Sequence, residues 1–379
     1  MARTLVGLDI GSSGVRAAEF TTGRRKVTLR KYAAVPLPQG VVRAGAVVDP
    51  DALVAALKEL WSRGKFGTRT VALGIANAGV LVRQMDLDWM PPADFKKALR
   101  YQVEDALPIP VDDANLDYHL LDELDVTVEG EAATRRVARV LLVAAARDTV
   151  DGFVEATHRA GLRAVSVDIV PFALVRAATA ESAPTGSGVE AIVDVGADTV
   201  TVVVHDGGVP RYVRMVPGVG GEPVTQAIMQ RYDWTWEDAE RTKIFVGLPG
   251  HAQLDPEQLD TLGPRGDGLD HAAQQVVAGA VESLVEEIST TLDYYRGSVT
   301  ATDPAAAGDE PQAGDVVRVL LTGSGARLGG LHELLADRLS APVEPLALHD
   351  HVRAPRRARG GADVASLAVP AGLCVGAGR

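Results

Sequence analysis

Residues 5–20, LVGLDIGSSGVRAAEF, are answered by residues 190–205, EAIVDVGADTVTVVVH, in the second half of the chain. Each is an apolar run ending in an aspartate, then a short glycine-bearing turn, then a second run. Aligned, Asp9 falls on Asp194 and Gly11 on Gly196, 185 residues apart in a chain of 379. Solenoid repeats recur every ~20–50 residues, so one match at half the chain length predicts two duplicated lobes. The apolar runs predict buried strands at 3–10, 15–20, 190–196 and 199–205, with the glycines supplying tight turns or close approach to a ligand.

Working outward, residues 26–35 extend the first meander, and Asp49-Pro50-Asp51 predicts the start of a helix reaching about Trp61 through Leu53, Leu57 and Leu60. A strand at 70–76 follows, completing an α/β half-domain. From Met85 the pattern restarts: a helix over 93–106 stopped by Pro108, strands at 116–121, 124–128 and 137–146, and a helix at 148–160 predict an inserted subdomain. A strand at 163–168 and a helix at 171–180 lead to ESAPTGSG, 181–188, which reads as a linker. Beyond the second hairpin, helices are expected at 220–232, 236–245, 272–296 and 328–340, with a buried strand at 316–322 and a surface loop at 301–315.

With 46% hydrophobic and 23% charged residues the composition is globular. The length exceeds the ~250–300 residues at which single cores stop growing. The net charge of −12 argues against nonspecific nucleic-acid binding, and the basic cluster Arg353–Arg359 sits among Pro, Ala and Gly as a solvated loop. The single cysteine, Cys374, excludes an internal disulfide framework, fits a reducing cytoplasm and reads as a small buried hydrophobe in the last helix. No run approaches the ~20 apolar residues of a membrane helix, so contact with a membrane is expected through partners.

The chemistry rests on the paired turns. An acidic strand end followed by backbone amides and hydroxyls suits phosphate oxygens and a hydrated Mg²⁺. Either turn alone reads more readily as a plain hairpin. As a pair they would face one another across a cleft, where two carboxylates brought close need a cation. Two further glycine-rich segments are VPGVGG before the helix at 220, with Glu240 and Lys243 one helical turn apart downstream, and LLTGSGARLGG after the strand at 316.

This order of elements resembles the actin-like ATPase superfamily: an α/β, duplicated two-lobe fold of the ribonuclease H-like kind with a subdomain inserted in the first lobe. More narrowly it is similar to the PilM family of type IV pilus assembly proteins, through FKKALRYQVEDALPIPVDDANLDYHLL (95–121), SVDIVPFALVRA (166–177), GVGGEPVTQAIMQRYDWTWEDAERTKI (218–244), LVEEISTTLDYYRG (284–297), LLTGSGARLGGLHELLADRL (320–339) and VPAGLCVGAG (369–378). The resemblance implies an ATP- and Mg²⁺-binding protein beneath the inner membrane that captures the cytoplasmic N-terminal peptide of PilN between the first lobe and its inserted subdomain. Other pilus platform and motor proteins are further candidate partners.

Carried over residue by residue, Asp9, Gly11, Ser12, Ser13 and Arg16 form the first phosphate loop, and Asp194, Gly196 and Thr199 the second. Glu240 and Lys243 would face ribose and adenine, Gly220 and Gly221 would also bind the nucleotide, and Gly323, Ser324 and Gly325 would form the adenosine loop. Asp9 and Asp194 would hold Mg²⁺ through water. The peptide groove is expected around Leu81–Met85 and the helix from Phe95 to Val103.

The implied division is 1–84 first lobe, 85–165 inserted subdomain, 166–186 connecting helix, 187–222 second-lobe core, 223–315 helical subdomain, 316–350 return with the adenosine loop, and 351–379 return to the first lobe. Two departures stand out. Arg16 replaces a common lysine, and Val170 occupies the place before the connecting helix where hydrolysing relatives carry Gln, Glu or Asp, with Asp168 two residues upstream. Hydrolysis is therefore expected to be weak or absent. Alternatives are a small-molecule kinase, for which Glu104 and Asp105 are poor candidates as base, and an FtsA-like polymerising protein.

Overall fold

The computed structural model of the chain describes residues 3–23, 26–127, 134–179, 188–251, 267–302, 315–356 and 362–377. The first sheet begins with an antiparallel meander, β1 (Arg3–Ile10), β2 (Gly14–Thr22) and β3 (Val27–Pro36). A two-residue ribbon, β4 (Val42–Arg43) and β5 (Ala46–Val47), turns at Ala44 and Gly45, both at positive φ. Helix α1 (Pro50–Gly64) starts where Asp49 accepts from the N–H groups of Asp51 and Ala52, and it buries Leu53, Leu57 and Leu60. β6 (Thr70–Ile75) then returns parallel to β1.

The chain next leaves for a separate three-stranded sheet. β7 (Leu81–Asp88), α2 (Pro92–Gln102), β8 (Ala114–Thr127) and β9 (Thr134–Ala146) give the order β7-β9-β8, with a core of its own around Leu87, Phe95, Leu99, Val103, Val140 and Leu142. The sequence expectations need correction here. β7 was not anticipated as a strand, because Arg83, Gln84 and Asp86 interrupt its apolar face. The two strands expected at 116–121 and 124–128 are one, since a register shift between Leu120 and Asp122 breaks the alternation without breaking the strand. The helix expected to 106 ends at Gln102 and gives way to a 3-10 turn, Glu104–Ala106.

α3 (Arg147–Arg159), β10 (Arg163–Ile169) and α4 (Val170–Ala178) continue the first lobe. The second opens with β11 (Val189–Val195), β12 (Thr199–Asp206) and an unanticipated β13 (Val209–Pro217), followed by α5 (Gly221–Tyr232), α6 (Trp236–Val246) and α7 (Asp267–Thr302), longer at both ends than expected. β14 (Val316–Thr322), α8 (Leu331–Arg338), β15 (Val343–Pro345), β16 (Val352–Arg353) and α9 (Val364–Gly376) finish the chain. The bulk of the expected linker and surface loop, and Arg357 and Arg359 of the basic cluster, lie outside the described residues; Arg353 itself is in β16.

The duplication extends well past the hairpins. The first sheet runs β10-β6-β1-β2-β3-β16 and the second, read from its other edge, β15-β14-β11-β12-β13. Asp9 pairs Arg16 and, in the parallel direction, Gly74; Asp194 pairs Thr201 and Thr322. Strand for strand the lobes are equivalent, and β16 extends the first.

Between the sheets lie α4 and α9, packed together, with α9 against β1 and β6 and α4 against β6. Their contact is backbone to backbone: a Cβ at Gly372 would stand 1.8 Å from the carbonyl oxygen of Ala173, and one at Gly7 of β1 would stand 2.0 Å from that of Pro370. α4 also reaches across to β11, β12 and β13, so one continuous core carries residues of both lobes, including Ile192, Val203 and Leu320. No helix among the described residues is long and apolar enough to cross a membrane.

Candidate nucleotide cleft

The turns after β1 and β11 close in the same way. Gly11 N–H donates to the Gly14 carbonyl at 3.0 Å, and Gly196 N–H to the Thr199 carbonyl at 3.0 Å. Both turns, with the loop after β14, line one cleft of about 280 Å³ between the lobes. Asp9, Gly11, Ser12, Ser13 and Arg16 enter it from the first lobe, and Asp194, Gly196, Thr199, Gly323 and Ser324 from the second.

The second turn is braced from behind. Gly218, Gly221 and Glu222 donate their N–H groups to the carbonyls of Asp198, Gly196 and Ala197 at 2.7, 3.0 and 2.7 Å. Gly220 is required there, because a Cβ would lie 2.4 Å from the Ala197 carbonyl oxygen. Gly323, at φ +96°, is required on the other side, where a Cβ would meet Asp194 Oδ1 at 2.4 Å.

Charge in the cleft is unbalanced. Arg16 Nη1 stands 3.3 Å from Asp9 Oδ2. Burial lifts the Asp9 carboxyl above its ordinary range, with Arg16 pulling it back. Asp194 is pushed up to about 7 by burial and then by Asp9, against the opposing pull of Arg16. Burial works against the Arg16 charge, but Asp9, Tyr32 and Asp194 outweigh it and hold the guanidinium protonated. Two carboxylates thus share one monovalent cation in a buried site, an arrangement that a divalent ion would complete. With glycines at the loop contacts and hydroxyls on Ser12, Ser13 and Thr199, these residues fit a magnesium-phosphate group.

Several predicted residues are placed elsewhere. Glu240 and Lys243 lie outside this cleft's lining. Lys243 Nζ instead donates to the Gly221 carbonyl, Thr225 Oγ1 and Glu240 Oε2 at 3.0, 2.9 and 2.7 Å, tying α6 to α5. Gly220, Gly221 and Gly325 are likewise absent from the lining. Val170 does face the cleft, whereas Asp168 turns away, ion-paired with Arg176 and accepting from Ile169 N–H at 2.8 Å. Phe95, Leu99 and Val103, expected at a peptide groove, are buried in the core of the third sheet. Leu81, Val82 and Met85 on β7 remain half-buried.

The sequence reading missed the residues that join the lobes. Ala44 N–H, at the tip of the β4–β5 ribbon, donates to Asp198 Oδ2 at 2.5 Å, and Gln39 Nε2 donates to Glu222 Oε1 at 2.9 Å. Arg327, three residues after Ser324, donates to Ser366 Oγ at 3.1 Å and pairs with Asp363 at 2.5 Å, at the start of α9. Tyr32, Arg327 and Ser366 also line the cleft. Only the position of Arg327 beside GSG hinted at this; the partners are remote in sequence.

Two lobes of one strand order, each presenting an aspartate-and-glycine turn to the cleft between them, define an actin-like fold. The model of the type IV pilus assembly protein PilM family matches residues 7–259, and the chain belongs to that family. A cell division protein FtsA model matches residues 191–361. Among solved structures, the chain is similar to the PilM-PilN type IV pilus biogenesis complex, at 24% identity over 99% of this chain and 98% of that one, with a TM-score of 0.75. It is also similar in fold to MreB5 of Spiroplasma citri bound to ADP, at 13% identity over 98% and 95%, and to the ethanolamine utilization protein EutJ from Carboxydothermus hydrogenoformans, at 16% over 98% and 89%; both give a TM-score of 0.51.

Proposed function

We propose that the chain is the nucleotide-binding actin-like component of a type IV pilus assembly machine, which holds Mg-ATP in the interlobe cleft and captures the cytoplasmic N-terminal peptide of PilN. The observation that carries the nucleotide reading is the pair Asp9 and Asp194, with Arg16 bonded to Asp9, between two glycine turns. Asp9, Asp194 and the hydroxyls of Ser12, Ser13 and Thr199 would hold the metal and phosphates, and Gly323 and Ser324 would lie against the nucleoside. Bound magnesium would supply the positive charge that two buried carboxylates and a triphosphate lack. Gly220, Gly221, Glu240, Lys243 and Gly325 stay as proposed contacts of the ribose and base, with Glu240 and Lys243 leaving their clasp on α5 to make them.

Hydrolysis is slow or absent in this reading. Val170 offers no group to orient water, and Asp168 is committed to Arg176. Glu104 and Asp105 lie in an exposed 3-10 turn outside the cleft, which leaves a kinase without a base from that segment. Nucleotide then acts as a structural ligand, stabilising the closed lobes by mass action. The peptide groove is placed along β7, where the third sheet joins the first lobe. These contacts put the protein at the inner face of the membrane through its partner.

Calorimetric titration with a PilN-type N-terminal peptide, with and without Mg-ATP, tests this reading. Binding is expected in at least the nucleotide-loaded state, with phosphate release at the level of the buffer control. No binding in either state removes the pilus-peptide reading, and rapid phosphate release removes the structural-ligand one.

A further inference from the structure

At the end of the first lobe remote from the cleft, a groove of about 600 Å³ runs between the last turns of α1 and α3 and the loop 65–69. Trp61 and Phe66 form its apolar wall, with ring centroids 5.0 Å apart. The wall is preformed. Phe66 folds back over Gly64, where a Cβ would meet the ring at 2.3 Å. Trp61 Nε1 donates to the Thr68 carbonyl at 3.1 Å, and Gly67 N–H to the carboxylate of the buried Glu19.

The rim is basic in a chain whose net charge is −12. Some of these cations have local duties. Arg63 and Arg159 lie in the last turns of α1 and α3, where helix dipoles favour positive charge, and pair with Glu59 and Asp51. Lys31 donates to the Lys65 carbonyl. Lys58, Lys65, Arg69 and Arg163 are different: all are exposed, and none is in an ion pair among the described residues. Arg69 contacts only a backbone carbonyl, that of Gly161, at 3.2 Å. Lys65 sits at φ +46°, ψ +45°, a left-handed position where glycine is the cheaper residue.

We infer that this groove is a second docking surface, and that it takes an acidic peptide segment bearing one aliphatic or aromatic anchor. The anchor would lie against the wall that Trp61 and Phe66 form, and carboxylates on either side would meet Lys58, Lys65, Arg69 and Arg163. The preformed aromatic wall and its fixed backbone favour an apolar side chain over a flat anionic bilayer, which would meet the rim alone. The site stands at the amino-terminal ends of β6 and β10, opposite the phosphate turns at the carboxyl ends of the strands. It can therefore be filled independently of the cleft and of β7.

The test uses the full chain and fluorescence anisotropy. The probes are a fluorescein-labelled acidic nonapeptide with one central leucine, the same peptide with glycine in its place, and phosphatidylglycerol vesicles assayed by co-sedimentation. The leucine peptide is expected to bind about tenfold or more tightly than the glycine one, and Lys58→Glu/Arg69→Glu to weaken it by about tenfold or more. Lys65→Gly should weaken it while holding or raising the melting temperature, which separates docking from folding. If the reversed pair does not fold, Ser62→Trp, an exposed change at the groove mouth, must abolish the preference for leucine. Equal binding by wild type and variants overturns the proposal, as does vesicle binding that depends on Lys58 and Arg69 without peptide binding.

Discussion

Asp9 and Asp194 are brought together with one guanidinium between them, and this makes the cleft sensitive to both metal and protons. Asp9→Asn is expected to weaken Mg-nucleotide binding by about tenfold or more with the fold intact; unchanged affinity in calorimetry would contradict the assignment of the first loop. Asp194, pushed up to about 7 in the folded chain, binds a proton that the unfolded chain releases near the ordinary aspartate value of 3.8. The folded state therefore holds more protons between those values, and stability falls as pH rises from about 4 through about 7. Asp194→Asn should remove much of that loss, on the order of a few kcal/mol, so that urea midpoints of the variant vary less over this range than those of the parent. Saturating Mg-nucleotide should flatten the parent's curve too. At this scale the sequence showed the two aspartates and their turns, because a local motif repeated at matched positions is visible without coordinates. It could not show Tyr32, Arg327 or Ser366, whose meeting depends on how α9 returns to the first lobe.

Among elements, α4 and α9 form the least tolerant contact. Gly372→Ala would drive a Cβ into the Ala173 carbonyl, and a loss of about 3 kcal/mol or more is expected, seen as a fall in melting temperature; a neutral result would mean the helices can separate without cost. The N-cap of α1 is a milder probe, with Asp49→Ala expected to cost about 1 kcal/mol. Elements built on one strong local signal were legible: the hairpins from their apolar runs, and α1 from Asp-Pro-Asp and its leucine spacing. β13 escaped because proline stands near each end of VPRYVRMVP and arginine interrupts its alternation, although its place beside β12 supplies the pairing. β8 was divided in two because one extra residue, Leu121, shifts the phase of a strand that continues past it.

On the scale of the whole molecule, the lobes are joined twice by helices and again by polar clasps at the cleft rim. The clasps run from Ala44 to Asp198, from Gln39 to Glu222, and from Arg327 to Ser366 and Asp363. The exposed Arg327–Asp363 pair contributes on the order of 1 kcal/mol or less, enough to bias an opening equilibrium without deciding folding. Asp198→Ala/Arg327→Ala is expected to raise the radius of gyration of the nucleotide-free protein in small-angle scattering and to leave the melting temperature nearly unchanged, with Mg-ATP restoring the compact form. No increase would mean that α4 and α9 alone set the lobe angle. The two-lobe plan was legible from the aspartate repeat, whereas the clasps from Ala44 and Gln39 span 154 and 183 residues across the cleft and leave no local trace. The seat of α9 against β1 has a consequence for synthesis on the ribosome. Gly7 is translated long before Pro370, so β1 waits for its cover while the second sheet, β11 to β15, already has all its strands. The first lobe to be translated is thus the last to be finished, and a chain arrested before residue 364 should carry a settled second lobe and an exposed, chaperone-accessible first one.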